Sequence, residues 1–274
     1  MTLLQALVLG IVQGATEFLP ISSSGHLVLV PWLLGWRFEP GVAFVFDVLV
    51  QWGTLAAVLV YFRDDLIRLV KAAVSQLAQG RPLGSADARL AWALAAASLP
   101  AALLGLLLKD LVETAFGDPL AVSLFLLVTA LLLGLSERIG RRRRTMHEVG
   151  LLDALLIGLA QAAALFPGIS RSGATIAGGL MRDLRRAEAA RFSFLMSVPV
   201  MIGAGAIALL DLGGMASATE QLPALIAGFL SAALVGYVAI RWLLAYLASH
   251  RLTVFVIYCA LLGLTGVGIS LLRS

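Results

Sequence analysis

Charge is scarce in this chain. Asp, Glu, Lys and Arg make up 13% of its 274 residues, about half the share of an ordinary soluble domain. Hydrophobic residues make up 60%, so too few polar side chains remain to cover a water-facing surface. A soluble enzyme and a disordered chain are excluded. The single cysteine, Cys259, lies in an apolar run, which excludes an internal disulfide and with it a disulfide scaffold. No basic segment precedes the first apolar stretch, and Glu17 interrupts that stretch, so a cleaved signal peptide is not expected. The dyad alternation of a membrane barrel is also missing, which leaves helices as the spanning unit. The net charge of +4 fits basic loops at a membrane surface better than a nucleic-acid partner.

Six runs are long enough to cross a bilayer. They extend over about Val42 to Tyr61, Leu90 to Leu108, Leu120 to Leu135, Phe192 to Leu210, Leu222 to Leu243 and Thr253 to Leu272. Two further apolar regions are interrupted. Met1 to Gly35 is broken by Pro20, Ser22, Ser23, Ser24, Gly25 and His26, and Leu151 to Met181 by Pro167, Gly168, Ser170, Arg171, Ser172 and Gly173. Each offers two half-length helices around a polar loop, the form of a re-entrant hairpin, whose irregular backbone must be buried in protein or line a wet cavity. Basic residues concentrate at Arg63 to Arg89, at Arg138 to Arg144 and at Arg182 to Arg191, while the connections holding Lys109, Asp110, Glu113 and Asp118, and Asp211 and Glu220, are acidic. This alternation is consistent if six runs cross and the two broken regions do not. It places the basic loops in the cytoplasm and both termini outside.

The broken regions are copies of each other. A shift of 148 positions pairs Gly10, Gln13, Ala15, Phe18, Ile21, Ser22, Ser24 and Gly25 with Gly158, Gln161, Ala163, Phe166, Ile169, Ser170, Ser172 and Gly173, eight identities in seventeen ungapped positions. The same shift pairs Phe44 and Phe46 with Phe192 and Phe194. Three spans separate the copies, and an odd number inverts the second relative to the first. The expected fold is therefore one all-α polytopic membrane domain over residues 1–274. It has six transmembrane helices and two re-entrant helix–loop–helix hairpins in an inverted-topology repeat, with repeat one at about 1–138 and repeat two at about 149–272. Broken helices in corresponding positions mark a central site. Each hairpin tip is Ser-rich and precedes a new half-helix, and two helix N-termini converging on one point make an anion site, with phosphate the obvious anion.

The polar residues of the hairpins then acquire candidate roles. Gln13 and Glu17 are four apart and share a helix face. A carboxylate at bilayer depth is costly, so Glu17 either lines a cavity, pairs with a cation or snorkels to the interface. His26, just after the Ser triplet, is a structural histidine or a general acid, base or nucleophile. Arg171 is the only Lys or Arg inside an apolar hairpin. It either neutralises Glu17 or grips phosphate oxygens with its planar fork. Ser22, Ser24, Ser170, Ser172 and Thr175 add hydroxyls, and Gly168 and Gly173 allow backbone N–H groups to approach a ligand. Asp47 is a second carboxylate of the site or a helix-packing contact. The Arg141 to Arg144 tract reads as a topology signal and lipid head-group contact.

The stretch GIVQGATEFLPISSSGH, Gly10 to His26, resembles the first signature of the undecaprenyl-diphosphate phosphatases, the bacitracin-resistance membrane family. PGISRSGAT, Pro167 to Thr175, resembles the second. The similarity runs along the whole chain and includes FSFLMSVP from Phe192. Gln13 stands where some members carry Glu, Asp47 where Glu is common, and Ser24 where some carry Thr. The resemblance implies hydrolysis of a polyprenyl diphosphate lipid, undecaprenyl diphosphate, to undecaprenyl phosphate and inorganic phosphate, in the bacterial inner membrane. It further implies recycling of the lipid carrier for cell-wall synthesis, bacitracin resistance, a divalent cation (Mg2+ or Ca2+) and a possible homodimer. Glu17 is the candidate metal ligand, with Asp47 second. Glu17, His26, Ser23 and Arg171 are the catalytic candidates, and the attacking group is left open between Ser23, His26 and water. A flippase or other transporter of a polyprenyl phosphate would use the same inverted-repeat anion site.

Overall fold

The computed structural model describes residues 1–211 and 218–273. The side chains of Lys109, Asp110, Glu113, Asp211 and Glu220, expected on the acidic connections, lie outside the described residues. Among the described residues there are twelve α-helices, one short 3-10 turn and no β-strand. In chain order the helices are α1 (Leu3–Phe18), α2 (Ser23–Leu34), α3 (Pro40–Tyr61), α4 (Arg63–Ala78), α5 (Ala86–Leu107), α6 (Lys109–Phe116), α7 (Pro119–Arg138), α8 (Leu151–Ala163), α9 (Arg171–Met181), α10 (Arg186–Asp211), α11 (Ala218–Leu247) and α12 (Thr253–Arg273).

Six of these, α3, α5, α7, α10, α11 and α12, are long and apolar enough to cross a membrane, and they coincide with the six expected runs. They extend past the apolar windows because their polar ends still make helical hydrogen bonds or caps. Ser85 caps α5 through Ala88 N–H at 3.1 Å, and the Asp118 carboxylate caps α7 through Leu120 N–H at 2.9 Å. The chain is thus an all-α polytopic membrane protein. Leu99, Leu103, Leu106, Leu107, Leu131, Leu234 and Leu261 are exposed on these helices, as lipid-facing residues must be. Sequence reading missed α4. It exposes Ile67, Val70, Val74 and Leu77 along one side at helical spacing, and carries Asp64, Asp65, Arg68 and Lys71 besides, the pattern of a helix lying in a membrane interface.

The four helices of the broken regions are short. At about 1.5 Å per residue, α1, α2, α8 and α9 reach about 24, 18, 20 and 17 Å, less than the hydrocarbon thickness of about 30 Å. The bends between them follow from local chemistry. Leu19 is extended because Pro20 follows it. Gly168 adopts φ +100, and a Cβ there would lie 2.3 Å from the Val122 carbonyl oxygen, so only glycine fits.

The two helix pairs open towards opposite ends of α7. At one end, Arg273 donates to the Trp32 carbonyl at 3.3 Å and its guanidinium lies 4.7 Å above the Trp32 ring. A shallow recess joins Trp32 with Asp118, Pro119 and Ser270. This end therefore gathers the close of α2, the start of α7 and the close of α12. At the other end, Asp153 at the start of α8 bonds Arg144 at 2.7 Å and Arg182, just past α9, at 2.6 Å. The three basic segments meet here. Arg186 pairs with Glu137 at 2.6 Å, Arg191 with Asp65 at 2.7 Å and Arg68 with Asp87 at 3.2 Å. Clustered positive charge is tolerated because each strand of it carries a carboxylate partner.

Packing of the two halves is reciprocal. Helix α1 lies against α11, the second long helix of the other half, and α8 lies against α5, its counterpart. Glycines permit both approaches. A Cβ on Gly10 would fall 2.5 Å from the Gly228 carbonyl oxygen, and one on Gly158 2.3 Å from that of Ala97. Replacing Gly10 or Gly158 by Val is therefore expected to destabilise the fold by about 1–3 kcal/mol, read as a lowered unfolding midpoint in detergent. Gly203→Ala, where nothing lies within 4 Å, should leave the midpoint unchanged or raise it.

Candidate active site

The bends of the two helix pairs touch. Each begins its second helix with the same serine cap. Ser22 Oγ accepts from Gly25 N–H at 3.2 Å, and Ser170 Oγ accepts from Gly173 N–H at 3.0 Å. The second serine of each tip lies 3.2 Å from the first, Ser24 from Ser22 and Ser172 from Ser170. The matched residues of the sequence repeat thus have matched geometry. The N-termini of α2 and α9, with their unpaired N–H groups, are held side by side where Ser172 Oγ donates to the Leu19 carbonyl at 3.0 Å.

Glu17 lies at the centre, buried at 6% exposure. Its Oε1 accepts from Arg171 Nη2 at 2.7 Å, across the contact between the two bends. Its Oε2 accepts from Ser23 Oγ at 2.6 Å and from Gln13 Nε2 at 2.9 Å. The carboxylate is therefore neutralised by one cation and oriented by two further donors, as a buried charge requires. It does not snorkel. Arg171 spends one amino group on Glu17, while its Nη1 is buried with no hydrogen-bond partner. A buried guanidinium nitrogen left over beside two helix N-termini is a donor waiting for an acceptor.

His26 is buried beside this cluster without bonding Glu17 or Arg171. Its Nδ1 lies 2.7 Å from the Ser22 carbonyl and its Nε2 2.7 Å from Tyr258 Oη. A carbonyl only accepts, so Nδ1 carries the proton and Nε2 accepts from the phenol. The two rings are near-parallel, 5.6 Å apart. Ser22 itself has φ +69, an unusual conformation for a residue other than glycine. The histidine clamps that residue's carbonyl and so fixes the loop carrying Ser23.

The remaining expected residues fall around this core. Ser170, Ser172 and Thr175 are buried. Thr175 Oγ1 lies 2.6 Å from Ser193 Oγ and donates to the Arg171 carbonyl at 2.8 Å, so it braces α9 against α10. Asp47 is exposed on α3 and, among the described residues, has no hydrogen bond or ion pair with Glu17. Nor do three His, Cys, Asp or Glu side chains gather as a metal cluster among the described residues. Sequence reading missed Tyr258 and also Thr129, midway along α7. Thr129 Oγ1 donates to the Gly168 carbonyl at 2.9 Å and accepts from Ser170 N–H at 3.0 Å, pinning the second bend to a spanning helix. Neither residue lies in a motif, so only the fold brings them to the site. Gln161, aligned with Gln13, is buried with both side-chain polar atoms unpartnered, because Leu165 stands where its counterpart of Glu17 would be.

Arg171→Ala is expected to leave a buried carboxylate unpaired and to cost about 3–5 kcal/mol. Adding Glu17→Gln in the same chain should recover part of that loss, since the uncompensated charge goes. Unfolding midpoints of the single and double variants in detergent measure both.

With this geometry in view, comparison with known proteins is direct. Residues 6–265 match the family described as "Bacitracin resistance protein BacA". Curated relatives named undecaprenyl-diphosphatase align over nearly the whole chain. That of Chlorobium chlorochromatii (strain CaD3) is 44% identical over 98% of this chain and 97% of its own length. That of Rubrobacter xylanophilus (strain DSM 9941 / JCM 11954 / NBRC 16129 / PRD-1) is 48% identical over 93% and 94%. That of Thermomicrobium roseum (strain ATCC 27502 / DSM 5159 / P-2) is 46% identical over 96% of each. A chain that carries both hairpin signatures and aligns end to end with these proteins belongs to the BacA bacitracin-resistance family.

Proposed function

We propose that this chain is an integral-membrane phosphatase. It hydrolyses undecaprenyl diphosphate to undecaprenyl phosphate and inorganic phosphate, and so returns the lipid carrier to cell-wall synthesis. The curated relatives carry that activity in their name, and the family name points to bacitracin resistance. The observation that carries the reading is the Ser23–Glu17–Arg171 chain, with Glu17 buried at its centre and Arg171 Nη1 unpartnered. It joins a hydroxyl, its base and a phosphate ligand in one line.

The repeat supports an inverted arrangement. The two helix pairs open towards opposite ends of the bundle, meet at their bends and pack reciprocally on α11 and α5. In a bilayer they would be re-entrant from opposite faces, each with an end at the interface and a tip at depth. The end that gathers the basic segments would face the cytoplasm and both termini the outside of the inner membrane.

The diphosphate, entering between the tips, offers Arg171 a doubly charged partner. Arg171 can turn from Glu17 to the terminal phosphate, with its free Nη1 and the N–H groups of α2 and α9 adding donors. Glu17 then loses its neutralising cation and becomes the stronger base towards Ser23. Ser23 Oγ gives its proton to Glu17 and forms a bond to the terminal phosphorus, while the bridging P–O bond breaks and the pair of electrons leaves with undecaprenyl phosphate. Glu17 passes that proton to the departing undecaprenyl phosphate, then takes one from a water whose oxygen bonds to the phosphorus as the Oγ–P bond breaks, and returns it to Ser23 Oγ as inorganic phosphate is released. His26 serves by position: both ring nitrogens are engaged, and its hold on Ser22 aims Ser23. A divalent cation suits this donor set as a shared ion. Mg2+ is content with one or two carboxylates plus phosphate oxygens and water, so Glu17 and the substrate would hold it, and it would offset charge on the diphosphate.

Ser23→Ala is expected to lower inorganic phosphate release from undecaprenyl diphosphate in detergent by at least about 10²-fold, with the fold intact, whereas Ser24→Ala should cost much less. Near-normal turnover in Ser23→Ala, or phosphate that maps to His26 after alkaline denaturation, where a phosphohistidine survives, would refute the serine assignment. Absence of phosphate release by the wild-type chain in detergent, where no transport can be defined, would favour a lipid-phosphate carrier.

A further inference from the structure

A second recess lies at the basic end of the bundle, beyond the far end of α9 and so about 17 Å along that helix from Arg171. It has a volume of about 350 Å³ and is lined by Arg142, Arg185, Arg186, Ala187, Glu188 and the close of α11 at Leu247. Arg186 clamps Glu137 through Nε at 2.8 Å and Nη2 at 2.6 Å, and Arg142 Nη2 reaches the same carboxylate at 3.0 Å. Glu188 is turned away to accept from Met146 N–H at 2.9 Å. Glu137 and Glu188, the carboxylates bonded at this recess, are therefore already engaged.

Two donors are left over. Arg142 Nε is buried with no partner, and the exposed Arg185 side chain makes no ion pair or hydrogen bond among the described residues and is offset through space by Glu148. Arg142 is held at φ +53, a conformation disfavoured for a residue with a side chain, and it is kept there by its bonds to the Glu137 carbonyl and carboxylate. The floor of the recess is the first turn of α10, a helix of 26 residues, whose unpaired N–H groups add partial positive charge. All of these features favour an anion with several acceptor oxygens.

The setting selects among anions. The recess lies where two spanning helices, α10 and α11, end, which is the depth of phospholipid head groups, and its wall at Leu247 and Ala248 is apolar. We propose that this recess binds the phosphodiester head group of an anionic phospholipid, with Arg142, Arg185 and the N-terminus of α10 as its donors. The proposal does not depend on the phosphatase reading, because its test reads lipid retention.

The full chain, purified in detergent, is offered equal amounts of phosphatidylglycerol and phosphatidylcholine, and retained lipid is counted by native mass spectrometry. The expected result is at least about tenfold preference for phosphatidylglycerol, lost in Arg185→Glu. Ala187→Glu should also abolish it. That change puts a carboxylate into the recess while favouring the helix start, so it tests the site even if Arg185→Glu fails to fold. Phosphate release should stay within about twofold of wild type in both. Equal retention of the two lipids, or an unchanged preference in both variants, overturns the proposal. So does binding of inorganic phosphate that both variants lose, with no lipid preference, since the site would then serve a soluble anion.

Discussion

The ion pair between Glu17 and Arg171 is the contact on which the centre of this protein depends. It joins residues 154 positions apart, one from each bend. A carboxylate or a guanidinium alone at this depth would cost several kcal/mol. Brought together and further bonded by Ser23 and Gln13, the two can be buried. The pair thus ties the two bends together and, in the proposed reaction, holds a base and an anion ligand in mutually blocked form. Substrate charge is what would separate them.

The two halves are alike where they must build the same backbone and different where chemistry is needed. Ser22 and Ser170 cap their helices in the same way, and Gly10 and Gly158 allow equivalent close approaches. At the tips the copies diverge. The counterpart of Glu17 is Leu165, that of Ser23 is Arg171, and that of His26 is Ala174. On the proposed reading, the repeated pair of serine-capped helix ends would give an anion cradle, and single replacements would turn it into a site with acid–base chemistry on one side and cationic grip on the other. Gln161 is the residue left behind by that divergence, a buried amide whose partner position has become leucine.

Much of this was readable from the chain. Hydropathy located the six spanning helices because lipid exposure demands long apolar runs, and the interrupted runs stood out against them. The eight identities between the bends exposed the repeat. Gln13, Glu17, Ser23 and Arg171 were legible because each is expensive or unusual in an apolar stretch. Tyr258 and Thr129 were not. A tyrosine or threonine in a spanning helix is common, and nothing in its neighbours announces a partner more than 200 or about 40 residues away. Helix α4 was hidden for a different reason. Its apolar residues are too few and too spaced for a span, and its charges resemble those of a loop.

The sequence by itself determined the class of fold, the number of spans and the chemical inventory of the site, since these follow from composition and from the cost of placing polar groups in lipid. Only the tertiary structure decided how that inventory is connected. It gave Glu17 both Ser23 and Arg171, turned His26 towards Ser22 and Tyr258 and left Asp47 apart. Hydrogen bonds act over about 3 Å, and which groups come within that distance depends on how helices from both halves pack, a property of no single stretch of chain.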